Sequence, residues 1–339
     1  MKIVMIGHTG VGKTSYMASL YEEMQQRVEG FHLKAGNPQD HPRLIELSKM
    51  IRSGTYPPAT AHRDEYKFLL RYQGKDVLEF VWADYKGGAI TEKKQSSEQA
   101  ALLEKDLKEA DGIMMFCDCD ALARDNARGV QIGRMTALIG RAIQDLDHPF
   151  ALSIVLTKTD LISRFEEPLI KPLSGLMSAI NASKWVSGAF IPIACGIQSV
   201  NVPMPLLFTL HASVILQALV SVSQIKHYYN QSVEWEVKSK GVLGILRRAR
   251  DVCNGNPTDK QMSEYTMRKA SEEYKKYETI KEPAETLAKY VDKLPSIRPE
   301  KNISNYLDEL SRIKSGISVN KASPNSFYKT SSDPFDAFK

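Results

Sequence analysis

Apolar runs alternate with amphipathic stretches along the first two thirds of the chain. The pattern predicts helices over residues 13–28, 42–52, 98–109, 126–146, 167–183 and 204–224. It predicts strands over residues 2–6, 66–72, 77–83, 112–119, 150–156 and 189–194, with the second and third forming a hairpin. Because most strands are followed by a helix, we expect an α/β fold in which helices cover both faces of a mostly parallel sheet.

The strand pattern stops near residue 225. Beyond it, a charged helix over 260–292 is expected to break at Pro283, and a short helix is expected over 303–314. The stretch from residue 316 is polar and rich in Ser, Asn and Lys. The sequence therefore predicts an α/β domain over 1–225, a basic and mainly helical extension over 226–315, and a flexible tail over 316–339.

The overall composition adds little to this outline, but the distribution of charge along the chain is informative. The 339 residues include 42% hydrophobic and 25% charged residues, which is average for a globular protein. Acidic and basic side chains balance over 1–225, so the net charge of +5 comes from the C-terminal third. Residues 238–250 could bind nucleic acid or an anionic membrane, although a solvated helix face is the commoner explanation.

Several features bear on where the protein works. The apolar stretch over 205–222 is interrupted by polar residues, so we interpret it as a buried core helix and expect no transmembrane segment. The N-terminus does not have the pattern of a signal peptide. The four cysteines show neither a metal-binding spacing nor a dense disulfide pattern, which favours the cytoplasm.

The clearest motif follows the first strand. Residues 7–14 match G-x-x-x-x-G-K-[ST] between an apolar strand and a helix, and comprise Gly7, His8, Thr9, Gly10, Val11, Gly12, Lys13 and Thr14. Such a loop surrounds phosphates with backbone N–H groups at a helix N-terminus. We expect Lys13 to reach the β- and γ-phosphates and the Thr14 hydroxyl to ligate Mg²⁺.

A second motif ends the predicted strand 77–83. Asp84 and Gly87 form D-x-x-G, where the carboxylate is placed to hold Mg²⁺ and the glycine N–H to contact the γ-phosphate. A threonine between this motif and the first helix should complete the metal site. Thr60 is favoured because it follows the stiff Pro57–Pro58 pair, and Thr55 is the alternative.

A third motif follows the predicted strand 150–156. Thr157, Lys158 and Asp160 form T-K-x-D, in which a carboxylate accepts from the adjacent N1–H and N2–H₂ donors of guanine. Adenine offers no such donor pair. Ala194 and Cys195, after the last predicted strand, fit a loop whose backbone N–H contacts guanine O6.

These motifs in this order resemble those of P-loop GTPases, the class that includes Ras-like proteins and translation factors. The inserted helix and the 53–60 stretch are more similar to double-GTPase-type proteins of bacterial multi-gene conflict or signalling systems. The resemblance implies a P-loop NTPase G domain that binds GTP or GDP with Mg²⁺, and places the residues above in their usual roles.

The expected function is a GTP-controlled switch acting on a protein partner. In many such GTPases a glutamine follows D-x-x-G and orients the attacking water, but Gly88 stands there in this chain. We therefore expect slow GTP hydrolysis, no identifiable catalytic residue, and an activating group supplied by a protein effector or by a homo- or hetero-oligomer. A permanently occupied scaffold and a P-loop ATPase or kinase are the alternatives.

Overall fold

A computed structural model describes residues 1–57, 64–85, 87–90, 98–124, 126, 131–240, 247, 251 and 256–314. The described strands are β1 (Lys2–Ile6), β2 (Phe31–Ala35), β3 (Asp64–Tyr72), β4 (Lys75–Asp84), β5 (Gly112–Asp118), β6 (Phe150–Thr157) and β7 (Val186–Pro192). The described helices are α1 (Lys13–Gln25), α2 (Asp40–Arg52), α3 (Glu98–Lys108), α4 (Cys119–Ala123), α5 (Ile132–Ala142), α6 (Glu167–Ile170), α7 (Ser174–Ala182), α8 (Pro203–Ser239), α9 (Asp259–Val291) and α10 (Ile303–Lys314).

The strands form a single sheet in the order β2-β3-β4-β1-β5-β6-β7. β3 runs antiparallel to both β2 and β4, and every other neighbouring pair is parallel. Helices α1, α2, α8 and α9 cover one face, while α3, α5, α6, α7 and α10 cover the other. The predicted α/β class, with a mostly parallel sheet covered on both faces and C-terminal helices, is confirmed.

The antiparallel edge of the sheet contains a strand that the sequence pattern missed. In β2 the side chains of Phe31, Leu33 and Ala35 are buried, whereas His32 and Lys34 are more exposed. Five residues are too short for this alternation to stand out against the helix pattern before it. β2 therefore extends the hairpin of β3 and β4 by one strand.

Prolines affect two helices in opposite ways. The predicted helix over 167–183 is divided by a 3₁₀ turn, Lys171–Leu173, because Pro172 cannot continue the α-helical hydrogen bonds. The expected break at Pro283 was wrong, since α9 continues through it. Pro283 is buried beside Ala284 and Leu287, and this packing outweighs the lost hydrogen bond.

The C-terminal helices are joined closely to the sheet. α8 passes without interruption through residue 225, the predicted end of the first domain, and α9 packs along it. After α9 the chain reaches β7, where Ile297 N–H donates to Gly188 O at 2.8 Å. On the opposite face, Tyr306 of α10 packs edge-on to Phe190 with ring centroids 5.2 Å apart.

The first part of α8 is apolar enough, by length and composition, to cross a membrane. That 18-residue window has a mean hydropathy of 1.8, and 61% of it is buried within the protein. Leu206, Leu207, Phe208 and Leu210 lie in the core on one face of the sheet. These contacts support the interpretation of α8 as a core helix.

A close approach of α8 to the sheet at Gly112 yields a stability prediction. A Cβ added at Gly112, the first residue of β5, would lie 2.5 Å from Cγ2 of Thr209. Thr209 cannot easily move, because it is buried and its hydroxyl is hydrogen bonded to Pro205 O and Ser153 Oγ, each at 2.7 Å. Gly112→Ala should therefore lower the free energy of unfolding by about 1–3 kcal/mol in urea denaturation.

Gly133→Ala in α5 is the matched control, because a Cβ there meets no atom within 4 Å. It should be neutral or stabilising by up to about 1 kcal/mol, as expected for glycine to alanine in a helix. Thr209→Ser removes the clashing methyl group and should rescue Gly112→Ala. Equal midpoints for the two glycine variants would contradict the proposed close packing.

Candidate nucleotide-binding site

The predicted site residues meet at the carboxyl edge of the parallel strands. The loop 7–12 follows β1, Asp84 ends β4, and Thr157 ends β6. Parallel strands bring these ends to one edge, which is where α/β folds place their ligand sites. The site residues come from separate parts of the sequence, and the order of the strands in the sheet brings them together.

The phosphate loop has the backbone that its glycines allow. Gly10 and Gly12 have φ angles of 78° and 100°, in the left-handed region that side-chain-bearing residues rarely adopt. α1 begins at Lys13, so the first N–H groups of that helix are directed to the loop. Its N-terminus is therefore available to an anion.

A single cavity of about 400 Å³ joins the phosphate loop to the predicted base loop. This volume suits a small organic ligand. Its lining includes ten of the predicted residues: Thr9, Gly10, Val11, Gly12, Lys13, Thr14, Thr157, Lys158, Asp160 and Cys195. It also includes four residues that the sequence analysis missed: Ser15, Tyr56, Pro57 and Leu161.

Lys13 is a buried cation at the floor of this cavity. Its side chain is hydrogen bonded from Nζ to Gly7 O at 2.9 Å, and the residue is only 5% exposed. Burial lowers the pKa of Lys13, and the nearby carboxylate of Asp84, itself 1% exposed, opposes that shift. A negatively charged group in the cavity would offset the cost of burying this ammonium.

The base loop is fixed to the strands on either side of it. The Thr157 hydroxyl donates to Cys117 O at 3.1 Å, and the Thr159 hydroxyl donates to Ile193 O at 2.9 Å. Lys158 lies between them with a φ of 58°, an uncommon angle for a residue other than glycine. The loop is thus held in one conformation from both sides.

Asp160 differs from the residues that anchor this loop. Its carboxylate is exposed to the cavity and makes no hydrogen bond or ion pair with any other residue in the described part of the chain. Every oxygen lone pair is therefore available to a ligand. A carboxylate in this position can accept two adjacent N–H donors.

Asp118, at the end of β5, is an ionic partner that the motifs did not reveal. Its Oδ2 accepts from Lys158 Nζ at 2.5 Å, while Oδ1 accepts from Ala121 N at 3.1 Å and caps α4. His8 Nε2 lies 3.8 Å from the same Oδ2. The buried Asp118 thus connects the phosphate loop to the base loop. The sequence signal that could have identified Asp118 was its position as a charged residue directly after the apolar run 113–117.

The remaining predicted residues that the structure describes lie outside the lining. Gly7 and His8 lie at the start of the loop, where burial lowers the pKa of His8, and Ala194 N–H donates to Val200 O at 3.2 Å. Gly87 begins a 3₁₀ turn, Gly87–Ile90, after β4. Thr60 lies outside the described residues, and Thr55 does not line the cavity.

Tyr56 extends the cavity towards the base loop. Its hydroxyl lies 3.2 Å from the position of a Cβ built on Gly196, and Asp160 Oδ2 lies 4.0 Å from the same point. The sequence analysis named the threonines on either side but not this aromatic residue. No local signal in the sequence identifies it, because its place in the cavity depends on its approach to Gly196, a residue distant in the sequence.

The C-terminal helix α10 supports the base loop from behind. Lys314 Nζ donates to Ile162 O, and its ammonium lies 6.0 Å from the centre of the Phe165 ring. Both partners follow Asp160 closely in the chain. The end of α10 is therefore attached to the segment that carries the predicted base-reading carboxylate.

The residues present fit a Mg²⁺ ion that is held largely by a bound nucleotide. Within the described residues, no group of three or more His, Cys, Asp or Glu side chains could hold a metal. Mg²⁺ commonly uses one or two protein ligands together with phosphates and water. The buried Asp84 carboxylate beside Lys13 is suited to that arrangement.

Two of the solved structures that resemble this chain are distant likenesses. A bacterial selenocysteine-specific elongation factor, EF-Sec, is 13% identical with a TM-score of 0.32, covering 57% of this chain and 25% of its own. NFeoB from S. thermophilus, bound to GDP·AlF4⁻ and K⁺, is 14% identical with a TM-score of 0.33, covering 86% of this chain and 99% of its own. This chain thus spans about a quarter of EF-Sec, and similarity at this level does not extend to function.

Comparison with protein families is more informative than comparison with solved structures. No curated protein matches the sequence. Residues 4–149 match the Double-GTPase 1 family, DO-GTPase1, and this range includes the phosphate loop and Asp84. Over these residues the chain thus resembles a P-loop GTPase domain of the double-GTPase type.

Proposed function

We propose that this protein is a GTP-controlled switch that hydrolyses GTP slowly by itself and acts on a protein partner. The observation that carries the proposal is the Asp160 carboxylate, which has no partner within the described residues and lines the same cavity as the phosphate loop. The cavity therefore combines a site for phosphates with a site for a pair of N–H donors. Guanine nucleotides satisfy both requirements.

The base side favours guanine over adenine. Guanine presents N1–H and N2–H₂ on one edge, and one carboxylate can accept from both. Adenine would place the N1 lone pair opposite the negative charge of Asp160. The hydrocarbon stem of Lys158, whose ammonium is held by Asp118, would then lie along the purine ring.

The phosphate side would hold the triphosphate by backbone N–H groups of the loop and by Lys13. Binding of the phosphates would add to the counter-charge that Asp84 already provides for the buried ammonium of Lys13. Thr14 and Asp84 are the described residues that would hold Mg²⁺, and Thr60 is proposed as a further ligand. When bound, Mg²⁺ would neutralise phosphate charge.

Switching would follow from contacts made only with the γ-phosphate. The Gly87 N–H and the segment containing Thr60 are proposed to engage that phosphate in the GTP state and to release it after hydrolysis. Tyr56 and Pro57 already line the cavity, so this segment starts beside the base site. Its rearrangement would change the surface offered to a partner.

Slow hydrolysis follows from the residue after D-x-x-G. Gly88 has no side chain to orient an attacking water. An effector or a second subunit would then supply the missing group, an effect worth 10³–10⁵ in rate in known GTPases. We place this activity in the cytoplasm, and we expect the partner to be a protein rather than nucleic acid or membrane.

The proposal that Asp160 recognises the base can be tested by replacing its carboxylate with an amide. Asp160→Asn replaces an acceptor pair with one acceptor and one donor, which matches xanthine rather than guanine. Isothermal titration calorimetry should show GDP affinity falling at least about tenfold, with xanthosine diphosphate becoming the preferred ligand, since about 1.4 kcal/mol corresponds to a tenfold change.

Asp147→Asn is the matched control, because Asp147 is an exposed carboxylate away from the cavity. It should bind GDP as the unmodified protein does. Lys13→Ala should lose binding of every nucleotide while keeping the fold. Retained GDP preference in Asp160→Asn would contradict the assignment, and ATP binding as tight as GTP binding would favour the ATPase or kinase alternative.

The ion pair of Asp118 with Lys158 can be tested separately from the capping of α4 by Asp118. Asp118→Asn keeps a good N-cap but removes the charge that holds Lys158. GDP and GTP affinities should fall together by about tenfold, in line with the 1.5–3 kcal/mol of a hydrogen bond to a charged group. The preference for guanine over adenine should persist, because Asp160 is untouched.

Asp118→Ala should show the same affinity loss together with a drop of about 1 kcal/mol in the free energy of unfolding, from the lost cap. Measuring both variants by calorimetry and urea denaturation distinguishes the two roles. Unchanged GDP affinity in Asp118→Asn would show that Lys158 needs no ionic partner.

The proposed switch makes a kinetic prediction. Single-turnover hydrolysis by the purified protein should proceed at about 10⁻² s⁻¹ or more slowly, the range of GTPases without an external activating group. Partner capture should depend on whether GDP or a non-hydrolysable GTP analogue is bound. Turnover above about 1 s⁻¹ would refute the need for a partner, and equal capture in both states would favour the scaffold alternative.

A further inference from the structure

The outer parts of α8 and α9 carry exposed apolar side chains. Most of the large hydrophobic residues that are exposed in the described part of the chain lie on these two helices: Leu219, Val220, Tyr229, Val233 and Val237 on α8, and Tyr265, Met267 and Tyr274 on α9. A contiguous exposed apolar patch on a folded protein commonly marks an interaction surface. Whether these residues form such a patch depends on their positions around each helix.

One side of the outer part of α8 is already used against α9. Ser221, Ile225 and Ser232 are buried and lie four and seven residues apart, which places them on one side of the helix. The hydroxyl oxygen of Ser232 lies 3.2 Å from that of Ser263 on α9. The exposed apolar residues of α8 therefore belong to other sides of the helix.

A second side of α8, here named the heptad side, carries Leu219, Val222, Lys226, Tyr229, Val233 and Glu236. These residues follow one another at alternating intervals of three and four, which is the spacing of the a and d positions of a coiled coil. Val222, Lys226 and Val233 each directly follow one of the buried residues, so the heptad side lies about 100° around the helix from the side that faces α9. Leu219, Tyr229 and Val233 are 45%, 45% and 42% exposed. The heptad spacing indicates that a helix is the partner that fits this side.

α9 contributes exposed side chains to the same side of the helix pair. Ile215 of α8 and Ala288 of α9 line one small cavity, so both face that side. Seven residues make nearly two helical turns, and Tyr229 therefore continues the side of Ile215. By the same spacing Tyr274 and Met267, each 46% exposed, continue the side of Ala288. The two helices thus present one continuous face.

The heptad side is complementary to itself when two copies run antiparallel. Its charged members are Lys226 and Glu236, which lie five residues on either side of position 231. A two-fold axis at that position would place Lys226 of each copy opposite Glu236 of the other, and Tyr229 opposite Val233. A parallel pairing would instead bring the two Lys226 ammonium groups together. Lys226 is exposed and forms no ion pair within the described residues, so its charge is available to a second copy.

We propose that the heptad side of α8 pairs with the heptad side of a second copy of this chain, with the two α8 helices antiparallel. In a two-fold interface every contact occurs twice, so the dimer would contain two Lys226–Glu236 pairs and two Tyr229–Val233 contacts. Met267, on the neighbouring helix, would widen the apolar contact.

The size of this face is sufficient for a specific but modest interface. With the axis at 231, residues 222–240 of each α8 would overlap, a length of about 27 Å at 1.5 Å per residue. Two helices side by side are about 20 Å wide, so each copy would bury about 500 Å². A total of about 1,000 Å² is near the lower limit for a specific protein–protein interface.

The proposed interface is separate from the nucleotide cavity. The cavity lined by Ile215 and Ala288 lies where β6 and β7 begin, whereas the nucleotide cavity lies at the carboxyl ends of the strands. Pairing of the heptad sides therefore does not rest on the proposed function.

Sedimentation equilibrium of the full chain tests the proposal. The protein should be dimeric at about 100 µM and dissociate on dilution, as expected for a Kd in the micromolar range. Lys226→Glu would place two carboxylates opposite each other at both symmetric contacts, and Glu236→Lys would place two ammonium groups there. Each substitution should raise the Kd of the dimer at least about tenfold. The combined variant Lys226→Glu, Glu236→Lys restores opposite charges and should return the Kd to within about threefold of the original.

Glu272→Lys is the matched control. Glu272 pairs with Lys269 within α9, as Glu236 pairs with Lys240 within α8, so both substitutions break one intrahelical ion pair and change the net charge equally. Glu272 lies two residues from Tyr274, about 200° around α9 and so away from the proposed interface. Its substitution should leave the Kd unchanged.

The substituted residues are exposed, so the variants should fold, which circular dichroism and urea denaturation would verify. A monomer at about 100 µM would overturn the proposal, as would unchanged association in both single variants of α8. Failure of the combined variant to recover, or equal weakening by Glu272→Lys, would overturn the antiparallel pairing of Lys226 with Glu236 and with it the proposal.

Discussion

The arrangement of groups at the carboxyl edge of this sheet depends on one buried ammonium group. Lys13 is removed from water by the loop that precedes it, and one backbone carbonyl is its hydrogen-bond partner. Burial of a charge is tolerated when compensating groups are arranged around it. The Gly7 carbonyl and the buried carboxylate of Asp84 are such groups, and a polyphosphate would add counter-charge for both the ammonium and the positive end of the helix.

Much of the fold and the candidate site could be predicted because the relevant signals are local. The phosphate loop, D-x-x-G and T-K-x-D each follow an apolar strand, and parallel strands bring such positions to one edge. The loop residues from Thr9 to Thr14, together with Asp160, were therefore placed at one cavity without knowledge of the strand order. The hairpin and the short helix of α10 were predicted for the same reason.

What could not be predicted depends on contacts between distant segments. Asp118 gains its role from Lys158, forty residues away, and neither residue type signals the pairing by itself. Tyr56 lines the cavity close to Gly196, a residue distant from it in the sequence. The continuity of α9 through Pro283 likewise reflects packing on the sheet, which helix propensity does not include.

The length of α8 has a mechanical consequence. One end lies just after the loop that carries Cys195, and the helix then continues for 37 residues, about 55 Å at 1.5 Å per residue. The helix and α9, which packs along it and leads back to β7, therefore form one stiff unit that connects the base-loop edge of the sheet to a surface about 55 Å away.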